Sequence, residues 1–223
     1  MNSEASIQRM LPEPEAAALL AGFGVAYPAH RLVHSGDEAV AAADELGYPV
    51  VLKVVAEHIV HKSDAGGVAL GLAGPMDVRA AAERLFGLAS TAGDPPQALI
   101  AAQAPPGLEL IVGAVRDPDL GMAVMLGAGG VLAEVLDDVA FRLAPLAERD
   151  ARELLDALRT ARLVRSHRGA PPFDEEALIE ALLAVSRLLD EHPEIAQLDL
   201  NPMRLYEHGL LALDARVIVE TPT

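Results

Sequence analysis

A chain of 223 residues has length for one sizeable core or two small ones, and with 52% hydrophobic but only 3% aromatic side chains it must fill them with Ala, Val, Leu and Ile. A formal net charge of −16 excludes non-specific nucleic-acid binding, so any bound anion has to be met by local positive charge. The absence of cysteine excludes disulfides and thiolate metal sites and fits a cytoplasmic protein, and no apolar run approaches the roughly 20 residues of a membrane span.

The opening stretch MNSEASIQRMLPEPEAA lacks a basic n-region and an apolar h-region, so no signal peptide is expected. PEPEAAALLAGF (12–23) predicts a short helix with Pro12 near its start and Gly22 and Gly24 at its end. VAYPAHRLV is extended around Pro28, and Ser35-Gly36-Asp37-Glu38 opens a second helix that Gly47 closes. YPVVLKVV (48–55) and the right half of IVHKSDAGGVALGL (59–72) predict two strands joined by a polar turn. Pro75-Met76-Asp77 opens a third helix with Val78, Ala81, Ala82 and Leu85 on one face. ALIAAQ (98–103) predicts a buried strand that ends before Pro105-Pro106-Gly107.

Beyond that break, LELIVGAVRD (108–117) and GMAVMLGAGG (121–130) predict strands, and VLAEVLDDVAFRLAPL (131–146) more strand. Two helices follow, AERDARELLDALRTA (147–161) and the amphipathic FDEEALIEALLAVSRLLDE (173–191), separated by the basic loop RLVRSHRGAPP. Strands over 195–206 and 210–219 are joined at Glu207-His208-Gly209, with Asp214 expected in mid-strand. The fold class is α+β, in two lobes over residues 1–104 and 105–223, with a hinge near Gln103–Gly107 and a cleft suited to a ligand.

Chemistry concentrates at three places. Among 17 basic side chains only Lys53 and Lys62 are lysine; they bracket the polar turn, and a lysine inside an apolar strand calls for an anion to meet it. The paired glycines of HKSDAGG permit close backbone approach and an anion-binding nest, although a solvated polar turn has the same composition. GAGG (127–130) permits the same approach, or a tight turn with a bulge. Asp199 and Asn201 are two apart on a strand, with Asp214 on the next; such hard oxygen donors are what Mg²⁺ takes beside phosphates, and turn capping is the other use of these residues.

Three segments in register, GYPVVLKVV…IVHKSDAGGVALGL, PPGLELIVGAVRDPDLGMAVMLGAGGVLAEVLDDVAFRLAPL and LDLNPMRLYEHGLLALDARV, closely resemble the ATP-grasp domain of ADP-forming acyl-CoA synthetases. The match is to the β subunit of acetate–CoA ligase, related to that of succinyl-CoA synthetase. The resemblance implies an ATP-grasp fold whose two lobes clasp ATP or ADP, with adenine near Ala101, Gln103 and Ala104. It implies Lys53 as a phosphate contact, Gly129 and Gly130 as the glycine turn near the phosphates, and Glu109 and Glu134 as cleft-facing nucleotide-binding positions. Asn201 and Asp214 match Mg²⁺ ligands, with Asp199 the neighbouring acid. His61 matches a phosphoryl-relay histidine, with Lys62 and Arg142 beside the chemistry. Gln103-Ala104 lacks the methionine usual in the linker, and Ser166-His167 replaces a more usual glycine and aromatic.

On this reading the chain is the nucleotide half of acyl-CoA + ADP + phosphate ⇌ carboxylate + CoA + ATP. An α subunit with CoA-binding and acyl-handling domains would be its partner and bind CoA and carboxylate. A stand-alone ATP-grasp carboxylate–amine ligase, which would not need His61, and a non-catalytic nucleotide-binding or regulatory module are the alternatives.

Overall fold

The computed structural model describes residues 6–56, 62, 65–130, 137–166, 169 and 171–222. They form two compact units. The smaller comprises Pro12–Pro14 and Pro28–Pro105; the larger takes in Glu15–Tyr27, everything from Pro106 onward, and the segment before Pro12.

The smaller unit is a four-stranded antiparallel sheet in the order β2-β5-β3-β4, built of β2 (His30–Val33), β3 (Val50–Val54), β4 (Val68–Leu72) and β5 (Ala98–Ala102). Its helices are α2 (Gly36–Leu46) and α3 (Pro75–Thr91). The Ser35 hydroxyl caps α2 by accepting from Glu38 N at 3.2 Å, satisfying one of the amides a helix start leaves over. Val50, Leu52 and Val54 pack with Ala39, Ala43, Val78, Ala82 and Leu85, and the small helix residues let both helices lie close to the strands. Strand alternation therefore turns Val51 and Lys53 to the opposite face of the sheet. There Lys53 lies beside Val68 on β4 and Leu99 on β5, while Val51 pairs with Ala101.

The larger unit is a seven-stranded antiparallel sheet, β1-β11-β9-β6-β7-β8, with β10 also paired to β9. Its strands are β1 (Ser6–Met10), β6 (Leu108–Asp117), β7 (Gly121–Ala128), β8 (Val139–Leu143), β9 (Ile195–Leu205), β10 (Leu210–Ala212) and β11 (Ala215–Pro222). Helices α1 (Glu13–Gly22, whose first two residues belong to the smaller unit), α4 (Glu148–Asp156), the single turn α5 (Ala161–Val164) and α6 (Glu175–Glu191) complete the described elements. Leu110, Val112, Val124, Leu126, Leu198 and Leu200 from the strands share one core with Leu20, Leu154, Leu155, Leu178, Leu182, Val185 and Leu188 from the helices. Residues 109, 111, 113 and 115 of β6 consequently take the other face.

Three local expectations change, and one strand appears where none was expected. The helix expected over 147–161 breaks after Asp156, because the buried carboxylate of Asp138 accepts from Arg159 N (2.8 Å), Thr160 N (2.7 Å) and the Thr160 hydroxyl (2.6 Å). Burial resists ionisation of Asp138, but these hydrogen bonds outweigh it and hold the carboxyl below its usual range. The basic loop is partly neutralised, since Arg165 reaches Asp156 at 2.6 Å and Glu175 at 2.7 Å. β1, which carries no clear alternation, is held by pairing with β11. Asp214 is not in mid-strand: Leu213 and Asp214 form the break between β10 and β11. Among the described residues no helix is long and apolar enough to cross a membrane.

Candidate functional site

In the smaller unit both lysines of the chain converge on one carboxylate. Glu13, the first residue of α1, is almost wholly buried, and its Oε1 accepts from Lys53 Nζ at 2.6 Å while its Oε2 accepts from Lys62 Nζ. Burial alone would favour the neutral acid; the two ammonium charges and their hydrogen bonds overcome it and bring Glu13 down to about 2. The sequence placed the lysines together but gave no hint of Glu13. The one available signal was an acid next to a proline at a helix start, where carboxylates are common for reasons of capping and helix dipole.

The backbone around Lys62 is fixed as tightly as its side chain. Gly67 N donates to Lys62 O at 2.6 Å, and Gly67 O accepts from Val54 N at 2.8 Å. A Cβ at Gly67 would meet Val54 Cγ1 at 2.7 Å and Lys62 O at 2.9 Å, so only glycine lets this turn pass over the end of β3. Ala101 shares the Lys53 face by its pairing with Val51. Gln103 Oε1 accepts from Gly71 N at 2.6 Å, which ties the linker side chain to β4, and Ala104 follows it, half-buried. His61 and Glu134 lie outside the described residues.

The larger unit gathers a second set on the sheet face turned away from its core. Glu109 Oε1 accepts from Arg204 Nε at 3.0 Å and Nη2 at 2.7 Å, a side-on guanidinium–carboxylate pair between β6 and β9. Gly129 N donates to Glu109 O at 2.8 Å, and a Cβ there would stand 2.8 Å from Leu110 N. Gly130, at φ +57°, lies against the Glu109 carboxylate so closely that a Cβ would collide with Oε2. Glu109, Gly129 and Gly130 are thus brought together, and in this structure the glycines are required where the chain leaving β7 passes over Glu109.

The hairpin of β9 with β10 and β11 holds the remaining acids. Met203 pairs with Ala212 and Leu200 with Ala215, which leaves Asn201-Pro202 facing Leu213-Asp214; Leu213 N donates to Pro202 O at 2.9 Å. Asn201 is exposed, and Asp214 is half-buried with its Oδ1 accepting from Ala215 N at 3.0 Å. An amide and a carboxylate are therefore opposed across the interruption of two strands. Asp199 sits one pair further on, opposite Arg216. Burial raises the Asp199 carboxyl above its usual range and Arg216 only partly offsets this, while Arg216 Nε is buried without a hydrogen-bond partner among the described residues. Arg142 stands apart: on β8 it alternates with exposed Phe141, shares the side of Ala140, and lies 3.4 Å from Glu153 of α4.

The donor set at the hairpin fits Mg²⁺. That ion takes one or two protein oxygens, keeps waters and borrows phosphate oxygens. Among the described residues no three His, Cys, Asp or Glu side chains cluster to hold a metal without such help.

The ATP-grasp domain family matches residues 2–219. The β subunit of ADP-forming acetate–CoA ligase I from Pyrococcus furiosus is 38% identical, over 95% of this chain and 92% of that one. The single-chain ADP-forming acetate–CoA ligase I of Archaeoglobus fulgidus is 40% identical over 92% of this chain, which spans only 30% of that protein. Among solved structures, the dinucleotide-forming acetyl-coenzyme A synthetase 1 of Ca. Korarchaeum cryptofilum, in complex with coenzyme A, Ca-AMPCP and HgCl⁺, superposes with a TM-score of 0.89 at 40% identity, covering 95% of this chain and 93% of that one. A second structure of that synthetase, with coenzyme A and Mg-AMPPCP and with a phosphohistidine segment pointing towards the nucleotide-binding site, gives 0.81.

Proposed function

Because this chain belongs to the ATP-grasp family, in the branch formed by the β subunits of ADP-forming acetate–CoA ligases, we propose that it is the nucleotide-handling subunit of an ADP-forming acyl-CoA synthetase. The convergence of Lys53 and Lys62 in a buried cluster is the observation that carries the reading. An otherwise strongly acidic protein has placed its two compact, strongly hydrated cations together, which is how lysine serves phosphate.

The reaction is acyl-CoA + ADP + phosphate ⇌ carboxylate + CoA + ATP. An α subunit, or an equivalent domain, would bind CoA and form an acyl phosphate, whose phosphoryl group passes to a histidine there. His61 then attacks phosphorus: a P–N bond to its imidazole forms as the bond to the donor histidine breaks. A β-phosphate oxygen of ADP next forms a P–O bond while the His61 P–N bond breaks, its electron pair returning to the ring. A neutral imidazole is the competent nucleophile near pH 7. Lys53 and Lys62 offset the charge of the phosphates, and Ala101, Gln103 and Ala104 flank the base. Asn201 and Asp214 would hold Mg²⁺, with Asp199 as the acid beside them; the ion would neutralise phosphate charge.

Calorimetric titration of the purified chain with ADP, with and without Mg²⁺ and with Lys53→Ala in parallel, tests the reading. Saturable, Mg²⁺-dependent binding that Lys53→Ala abolishes is the expected result; wild-type protein that binds no ADP, alone or with a candidate α subunit, would refute it. His61→Ala should keep ADP binding and lose phosphoryl transfer in the reconstituted enzyme. Retained turnover in that variant would favour the carboxylate–amine ligase.

A further inference from the structure

We propose that Glu13 is a positioning residue for the nucleotide phosphates, its single carboxylate bridging Lys53 and Lys62 and fixing the spacing of their ammonium groups. The inference rests on the nucleotide-binding reading above. Lysine is a poor pre-organised donor by itself, because its flexible four-carbon stem has rotamer entropy to lose and its charge has no directional fork. Two lysines directed at one anion also repel each other. A carboxylate with one oxygen on each Nζ removes both difficulties: it offsets the repulsion, and it immobilises the stems before any ligand arrives.

The surroundings suit that task. Glu13 opens a helix and, with Pro12 and Pro14, belongs to the same unit as the strand and turn that carry the lysines. Lys53 is on a central strand, paired on both sides. Lys62 has its carbonyl fixed by Gly67 N. Three backbones are therefore set, and the carboxylate joins the three side chains at one point. With Glu13 brought down to about 2, the bridge stays ionised throughout the neutral range.

A positioning role and a purely structural one part company on phosphate number. If Glu13 aims the lysines, Glu13→Gln weakens Mg-ADP binding by about tenfold or more, in line with charge-assisted hydrogen bonds, and weakens AMP by less than about twofold. If Glu13 only holds the fold, AMP and ADP weaken alike, in step with the fall in thermal midpoint. The measurement is calorimetric titration of wild type, Glu13→Gln and Glu13→Asp with AMP and ADP in Mg²⁺, with thermal unfolding alongside. Glu13→Asp keeps the charge but is one methylene short of reaching both lysines, so it should fold and show the same ADP-over-AMP selectivity in its loss, at smaller size. It decides the matter if Glu13→Gln does not fold. Equal losses on AMP and ADP, or no loss, would overturn the role of Glu13 alone. A wild-type chain that does not bind Mg-ADP would remove the reading beneath it, and this inference as well.

Discussion

The two charged clusters follow opposite rules. In the smaller unit Lys53 and Glu13 are buried and Lys62, half-buried, closes on the same carboxylate, with Glu13 nearly inaccessible. In the larger unit the polar groups stand on a half-open sheet face and at a strand break, with Asn201 exposed and Arg216 Nε lacking a partner among the described residues. The contrast follows from what each would serve. A lysine buried in a sheet, as Lys53 is, needs a permanent counter-charge or it would deprotonate or distort the strand. Donors for a hydrated cation must stay wet, because Mg²⁺ surrenders its waters reluctantly.

The largest effect should come from breaking the closed cluster. Lys53→Ala leaves Glu13 with one lysine in place of two, and removing one partner of a buried ion pair costs roughly 3–5 kcal/mol. Denaturant unfolding should show that loss, together with the abolished ADP binding described above. Acid acts on the same bridge. The Glu13 carboxyl is lower in the folded chain than its ordinary value of 4.5, so its stabilisation is complete above about pH 5 and disappears as pH falls toward 2. Lowering from 4.5 to about 2 corresponds to about 3 kcal/mol. The acid transition of Glu13→Gln should be shallower than that of wild type by a comparable amount; an unchanged transition would count against the bridge.

The open cluster should answer differently. Asp214→Asn should lower ADP affinity in Mg²⁺ about tenfold, to the metal-free level, while stability moves by less than about 1 kcal/mol, since Asp214 is only half-buried and Asn can still accept from Ala215 N. A large stability loss with Mg²⁺ dependence intact would make Asp214 a turn residue. Gly130→Ala meets both a positive φ and the Glu109 carboxylate, and should cost about 1–3 kcal/mol in thermal or denaturant unfolding. Arg142→Ala should be the smallest perturbation, below about 1 kcal/mol, because both it and Glu153 are only half-buried and the contact is long. A fall in ADP affinity with stability intact would return Arg142 to the nucleotide's phosphates.

Much of the fold was legible because its signals are local. Ser35 before an alanine-rich amphipathic run, Pro75 at a helix start, and alternation in LELIVGAVRD each constrain only a few neighbouring residues, and the elements they predict are present. The errors arose where a distant residue competed with local preference. The helix expected to run to residue 161 is interrupted by the carboxylate of Asp138, more than 20 positions upstream. β1 has no pattern of its own and is a strand through its partner β11.

The candidate site divides along the same line. By itself the sequence determined the family and offered two lysines as the cations to watch and Asp199, Asn201 and Asp214 as candidate oxygen donors, because motif spacing and residue chemistry are properties of the linear chain. Only the tertiary structure decided that Glu13 joins those lysines from 40 and 49 positions away. It alone opposed Asn201 to Asp214 across a break in the hairpin, and turned Arg142 toward Glu153. A charged side chain takes whichever partner the packed backbone brings within about 3 Å, and sequence separation carries no information about that distance.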